Sequence, residues 1–87
     1  MEIQIDAHTI ERAKERGANE KEIEEVLATG KSGVGKYLRK MKSKVFKYNQ
    51  MRSGKYYEEK KVEVYYIEHD SKIITITVYV FYGKWED

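Results

Sequence analysis

The sequence predicts an α+β domain in which two N-terminal helices pack on one face of a three- to four-stranded antiparallel sheet. Three observations carry this. Up to Gly30 the apolar residues recur at helical spacing between capping signals. From Lys44 onward the pattern changes to alternation of β-branched and aromatic residues, broken by two turn signals. At 87 residues the chain is the size of one domain, spanning 1–87.

Met1 to Ile5 alternates apolar and polar residues and reads as a short strand or an extended lead-in. Asp6 has the chemistry of an N-cap, because its carboxylate can accept from the free amides of a first turn. A helix over about 7–16 follows, with Ile10 as its expected main core contact. Gly17 stands where a left-handed residue closes a helix. Asn19 and Glu22 have the spacing of a capping box. They open a second helix over about 20–29, whose Ile23, Val26 and Leu27 form a buried stripe.

Residues 31–43 receive no element. GKSGVGK has a faint likeness to a phosphate-binding loop, but it lacks the preceding strand, the fixed spacing and a Ser or Thr after the lysine. Strands are expected at about 44–50, 55–68 and 73–82. Turns fall at Arg52-Ser53-Gly54 and at His69 to Lys72. In the last strand, strict alternation puts Ile73, Thr75, Thr77, Tyr79 and Phe81 on one face. Ile74, Ile76, Val78, Val80 and Tyr82 then form the core face.

There is no cysteine, so disulfides and thiolate metal sites are excluded. His8 and His69 are too few for a histidine-rich metal site, and no cofactor or metal is expected. No apolar run is long enough to cross a bilayer. The first residues, MEIQID, lack a basic leader, so the expected location is cytoplasmic. Lys and Glu dominate the charge, a thermophile-like composition that also fits an ordinary soluble surface.

The formal net charge is only +2, yet it is unevenly spread. Lys31 to Lys61 holds eleven lysines and arginines against two glutamates, and the remainder holds six bases against thirteen acids. Within the basic segment, aromatics alternate with Arg39, Lys40, Lys42, Lys44, Lys47, Arg52 and Lys55. Cations suit phosphates and flat rings suit unstacked bases, so these residues are candidate nucleic-acid contacts. Lysines on an edge strand also serve to block sheet-to-sheet aggregation.

His8, Arg12 and Arg16 are spaced four apart and line one stripe of the first helix. Histidine can exchange a proton near neutral pH and arginine can hold a phosphate bidentately. The same stripe also reads as a solvated face with local ion pairs. Arg16 joins the candidate nucleic-acid contacts. Thr77 and Tyr79 offer hydroxyls that can orient a phosphate. For nucleic-acid chemistry, the basic hairpin must fold back beside the helix-one stripe.

His8-x-x-x-Arg12-x-x-x-Arg16-Gly17, a Glu-rich helix ending at Gly30, and a final Thr77-Val78-Tyr79 resemble a family of small microbial proteins without assigned function. That family in turn is similar to the RelE-like and barnase-like toxin nucleases. The resemblance implies helices on an antiparallel sheet and metal-independent RNA cleavage through the 2′-hydroxyl. It implies His8 as base or acid, Arg12 as phosphate clamp, and Thr77 or Tyr79 as orienting hydroxyl. RNA, an antitoxin or a second copy of the chain are the implied partners, with no membrane. A non-catalytic nucleic-acid-binding module and a dimeric structural or regulatory protein remain the alternatives.

Overall fold

The computed structural model describes residues 2–85. Helix α1 spans Ala7–Arg16 and α2 spans Glu20–Thr29, as the capping signals predict. The Asp6 carboxylate accepts from the His8 amide at 3.0 Å. Asn19 and Glu22 form the reciprocal capping box at 2.8 and 3.1 Å. Gly17 closes α1 at φ 96°, and a Cβ there would run into the Tyr82 hydroxyl. That position therefore needs glycine for both backbone and space.

The helix rotation differs from expectation. Thr9 and Ala13 are the buried residues of α1, and Ile10 is only half-buried. Thr9 can be buried because its hydroxyl accepts from the Thr75 hydroxyl at 2.9 Å, and the Thr75 oxygen accepts from the Asp6 amide at 2.9 Å. A fully partnered polar pair avoids the desolvation penalty of an orphaned one.

The sheet has five strands rather than three or four, and it is mixed rather than antiparallel. They are β1 (Glu2–Gln4), β2 (Lys31–Val34), β3 (Lys40–Arg52), β4 (Lys55–His69) and β5 (Lys72–Gly83), in spatial order β1-β5-β4-β3-β2. β1 pairs with β5 in parallel, and all other pairings are antiparallel. The β2 strand escapes sequence reading because all four of its residues are exposed, leaving no alternation to detect. The expected turns join β3 to β4 and β4 to β5. Ser53 and Gly54, then Asp70 and Ser71, all have positive φ, the geometry of two-residue hairpin loops.

A bulge in β5 changes its faces. Tyr65 and Tyr66 oppose Thr77 and Thr75, so Ile76 is an extra residue. Alternation restarts beyond it. Ile73 and Thr75 face the helices before the bulge; Val78, Val80 and Tyr82 face them after it. Thr75 is therefore separated from Thr77 and Tyr79, against the expectation of one shared face. The core joins Ala13, Ile23, Val26 and Leu27 from the helices to Val62, Val64, Tyr66, Ile73 and Val78 from the sheet.

Much of the basic segment points at the helices, above all at the acidic α2. Lys42 donates to the Leu27 carbonyl at 3.0 Å. Lys44 pairs with Glu25 at 2.6 Å and donates to the Thr29 hydroxyl at 2.8 Å. Lys60, only 8% exposed, donates to the Gly17 carbonyl at 2.7 Å and to Glu22 at 2.9 Å. Arg52 donates to the Glu15 carbonyl at 3.2 Å, and the Tyr82 hydroxyl donates to the Arg16 carbonyl at 2.6 Å. Lys42, Arg52, Lys60 and Tyr82 satisfy free carbonyls at the helix C-termini, and the three cations among them complement the helix dipoles.

Lys60→Ala is expected to lower unfolding stability by about 3 kcal/mol, because Glu22 loses its buried partner. Urea denaturation of both proteins checks this. Burial pushes the Tyr82 phenol above the usual 10.0, against the opposing Arg52 cation. A folded-state value raised above the unfolded one gives stability that is complete below pH 10.0 and is lost as pH rises through the folded value. Tyr82→Phe removes that group, so its urea midpoint is expected to fall less steeply above pH 10.0 than the wild type's.

Candidate functional site on the open sheet face

The helices cover one face of the sheet, and the opposite face carries a cluster centred on Tyr79. The bulge at Ile76 puts Thr77 and Tyr79 on this open face together with Tyr65 of β4. Tyr65 meets Tyr79 edge to face, with ring centroids 5.6 Å apart at 81°. Their mutual orientation is the one the ring quadrupoles favour.

Two cations approach the Tyr79 ring from different parts of the chain. Arg16 is the last residue of α1. β1 covers only the first residues of β5, so the edge of β5 beside Val78 is open. Arg16 reaches that edge, donates to the Val78 carbonyl at 2.7 Å and lies 4.8 Å from the Tyr79 centroid. Lys36 comes from the connection between β2 and β3, and its ammonium lies 5.0 Å from the same centroid. Cations over an aromatic face are attracted by the ring quadrupole.

The connection itself is fixed to the sheet. Lys36 to Arg39 form a tight turn closed by the Arg39 amide on the Lys36 carbonyl at 3.3 Å, and the Lys36 amide donates to the Tyr65 hydroxyl at 3.2 Å. Gly35 lies against the Tyr65 ring so closely that any Cβ would overlap it. Lys36, Tyr37, Arg39, Tyr65, Thr77 and Tyr79 together line a pocket of about 130 Å³. Arg39 also lines a neighbouring pocket of about 520 Å³ whose apolar wall includes Ile67 and Ile76. Arg16, Lys36 and Arg39 form no ion pair among the described residues, and no carboxylate lines the smaller pocket. Positive charge thus gathers beside the hydroxyls of Tyr37, Tyr65, Thr77 and Tyr79, while the Glu63 carboxylate, across from Tyr79 in the β4–β5 pairing, makes its described ion pair with Lys61.

The structure brings together Arg16, Arg39, Thr77 and Tyr79 of the sequence-derived residues. It does not bring His8 or Arg12 to them. His8 is exposed, and only its backbone amide makes a described hydrogen bond. Arg12 pairs with both carboxylate oxygens of Glu15 at 3.1 Å. Lys42, Lys44 and Arg52 bind the helices on the far face, for the reasons given above. Lys40 pairs with Glu68 at 3.5 Å, Lys55 lies 5.6 Å from the Tyr57 centroid, and Lys47 is exposed. The β3–β4 hairpin does reach the end of α1, through Arg52 on the Glu15 carbonyl, but it is the turn after β2 that approaches Tyr79, through Lys36.

Sequence reasoning missed Lys36 and Tyr65. The alternation of Glu63, Tyr65 and Ile67 could have put Tyr65 on the open face. Lys36 gave no such signal, because its segment has no periodicity. Among the described residues no group of three or more His, Cys, Asp or Glu is placed to hold a metal. No helix is long and apolar enough to cross a membrane.

Gly35→Ala is expected to push the Tyr65 ring off Tyr79 and to cost about 1–3 kcal/mol by overpacking. Gly33→Ala, whose new Cβ would meet only the Met41 sulfur at 3.6 Å, is expected to be far milder. Thermal melts, with aromatic NMR shifts for Tyr65 and Tyr79, separate the two outcomes.

No curated protein and no solved structure matches the chain. The family model described as "Domain of unknown function (DUF4258)" matches residues 5–80, a span that contains both helices and every residue of the Tyr79 cluster. By this match over most of its length, and with the fold and cluster lying inside it, the chain belongs to the DUF4258 family.

Proposed function

We propose that this domain binds RNA on its open sheet face and cleaves it without a metal, in the manner of the RelE-like and barnase-like toxin nucleases that its sequence resembles. The observation that supports this reading is the Tyr79 ring with Arg16 at 4.8 Å and Lys36 at 5.0 Å, beside a pocket lined by Arg39, Thr77 and Tyr65.

Cleavage through the 2′-hydroxyl needs four things. The 2′-oxygen bonds to phosphorus while the bond to the 5′-oxygen breaks. A base takes the 2′ proton and an acid protonates the 5′-oxygen. Cations must meet the charge that grows on the phosphorane. Arg16, Lys36 and Arg39 supply the charge. Thr77 orients the phosphate, the Tyr79 hydroxyl donates its proton to the departing 5′-oxygen, and water takes the 2′ proton. The Tyr65 hydroxyl is already engaged by the Lys36 amide. The products are a 2′,3′-cyclic phosphate and a 5′-hydroxyl end.

This assignment moves the clamp from Arg12 to Arg16. It also leaves His8 outside the cluster. Eight residues of helix separate His8 from Arg16, about 12 Å along the axis.

RNA incubated with the protein and a chelator, then analysed by mass spectrometry, tests the reading. Fragments ending in cyclic phosphate are expected. Arg16→Ala and Tyr79→Phe should each slow cleavage by about 100-fold, whereas His8→Ala should leave it nearly unchanged. A collapse of cleavage in His8→Ala would return the proton-transfer role to the helix. RNA left intact, but bound with an affinity that falls steeply with salt, would make the domain a binding module instead.

A further inference from the structure

Tyr37 and Leu38 are the most exposed large apolar side chains of the described residues, at 90% and 88%. Both hold left-handed backbone, with φ of 59° and 58°. That conformation is unfavourable for residues with a Cβ, and more so for bulky ones such as these. It persists because the turn is bonded at each step. The Gly35 amide donates to Arg39 at 3.0 Å, Leu38 to Gly35 at 3.2 Å, and Arg39 to Lys36 at 3.3 Å. The Lys36 amide then ties the turn to the Tyr65 hydroxyl. A strained turn, fixed to the Tyr79 cluster, holds an aromatic ring in solvent. Burial does not explain that ring, because it has almost none.

What surrounds Tyr37 indicates what it meets. Lys36 precedes it, Arg39 follows two residues later, and all three line the pocket below Tyr79. An exposed flat ring one side chain away from unpaired cations suits a nucleotide, with its phosphate on the cations and its base on the ring. A duplex keeps its bases stacked on one another and cannot offer that face. An acidic protein surface would satisfy the cations but leave the ring without a flat partner.

We infer that Tyr37 is a stacking platform for one unpaired base of a single-stranded RNA whose phosphate lies at Arg16, Lys36 and Arg39. The inference rests on the RNA reading above and adds strand selectivity to it. Tyr37 acts through contact with the base and takes no part in proton transfer.

The test uses the full chain and fluorescence anisotropy with a labelled oligonucleotide of about eight nucleotides, within the usual span of one such site. Its 2′-oxygens are methylated so that it cannot be cut. Tyr37→Ala is expected to weaken binding by about tenfold or more, and Tyr37→Phe and Tyr37→Trp to restore it. The slope of log affinity against log salt should be the same in Tyr37→Ala as in the wild type. Lys36→Ala should reduce that slope by about 0.7, the loss of one phosphate contact. An abasic scan of the probe should find one position where the wild type binds as weakly as Tyr37→Ala binds the intact strand. The same sequence as a duplex should gain nothing from Tyr37.

Salt-dependent binding that is indifferent to Tyr37→Ala overturns the platform and leaves the RNA reading standing. So does failure of Tyr37→Phe to rescue, or loss of self-association in Tyr37→Ala with RNA affinity intact. If the wild type binds no RNA at any salt concentration, the RNA reading falls and the platform falls with it. Because Tyr37 is 90% exposed, its variants are expected to melt with the wild type, which a thermal scan verifies.

Discussion

Three consecutive carbonyls at the end of α1 are held by side chains of the sheet. Glu15 is taken by Arg52, Arg16 by Tyr82 and Gly17 by Lys60. A helix end buried without such partners would leave backbone acceptors unsatisfied, at a cost of about 1–3 kcal/mol each. Here the partners come from three strands, so the helix end is located in all directions at once. Gly17 makes this possible by turning left-handed where any side chain would strike Tyr82. The placement of Arg16 follows from the same arrangement. Its carbonyl is bound on the helix side, while its guanidinium extends to the β5 edge and the Tyr79 ring.

The charge segregation takes its meaning from this arrangement. A basic segment against an otherwise acidic chain suggests an external anionic partner. Much of that asymmetry is instead internal complementarity. Lys42, Lys44, Lys60 and Arg52 face carboxylates and carbonyls of α1 and α2. Removing them from the external count does not remove the positive field. Lys36 and Arg39, without an ion pair among the described residues, line a pocket on the other face, and Arg16 joins Lys36 at the Tyr79 ring. A field from three convergent cations is more selective than one from a uniformly basic strand.

The open face depends on one inserted residue. Without the bulge at Ile76, Thr75 would share a face with Thr77 and Tyr79. Either the Thr9–Thr75 contact or the Tyr79 cluster would then be lost. With it, the first part of β5 ties down the start of α1 and the second part presents Tyr79 outward. Bulges often re-aim a side chain beside a working site, and that is the effect here.

Both helices, their caps, the three long strands and both hairpin turns were legible in the sequence, because each is encoded locally. Asp6, Asn19 with Glu22, Gly17 and the β-branched run from Ile73 act within a few residues of themselves. Thr77, Tyr79, Arg16 and Arg39 were legible as candidate site residues by their chemistry alone. Tertiary structure decided the rest. The parallel pairing of β1 and the edge position of β2 are contacts between distant segments, with no local pattern to announce them. The bulge at Ile76 shifted a strand's faces by one residue, and alternation cannot foresee a skipped step. Whether a lysine meets a helix carbonyl or open solvent depends on what packs above it. For the same reason, the family resemblance implied a clamp at Arg12, but only the path of α1 over the β5 edge placed Arg16 beside Tyr79.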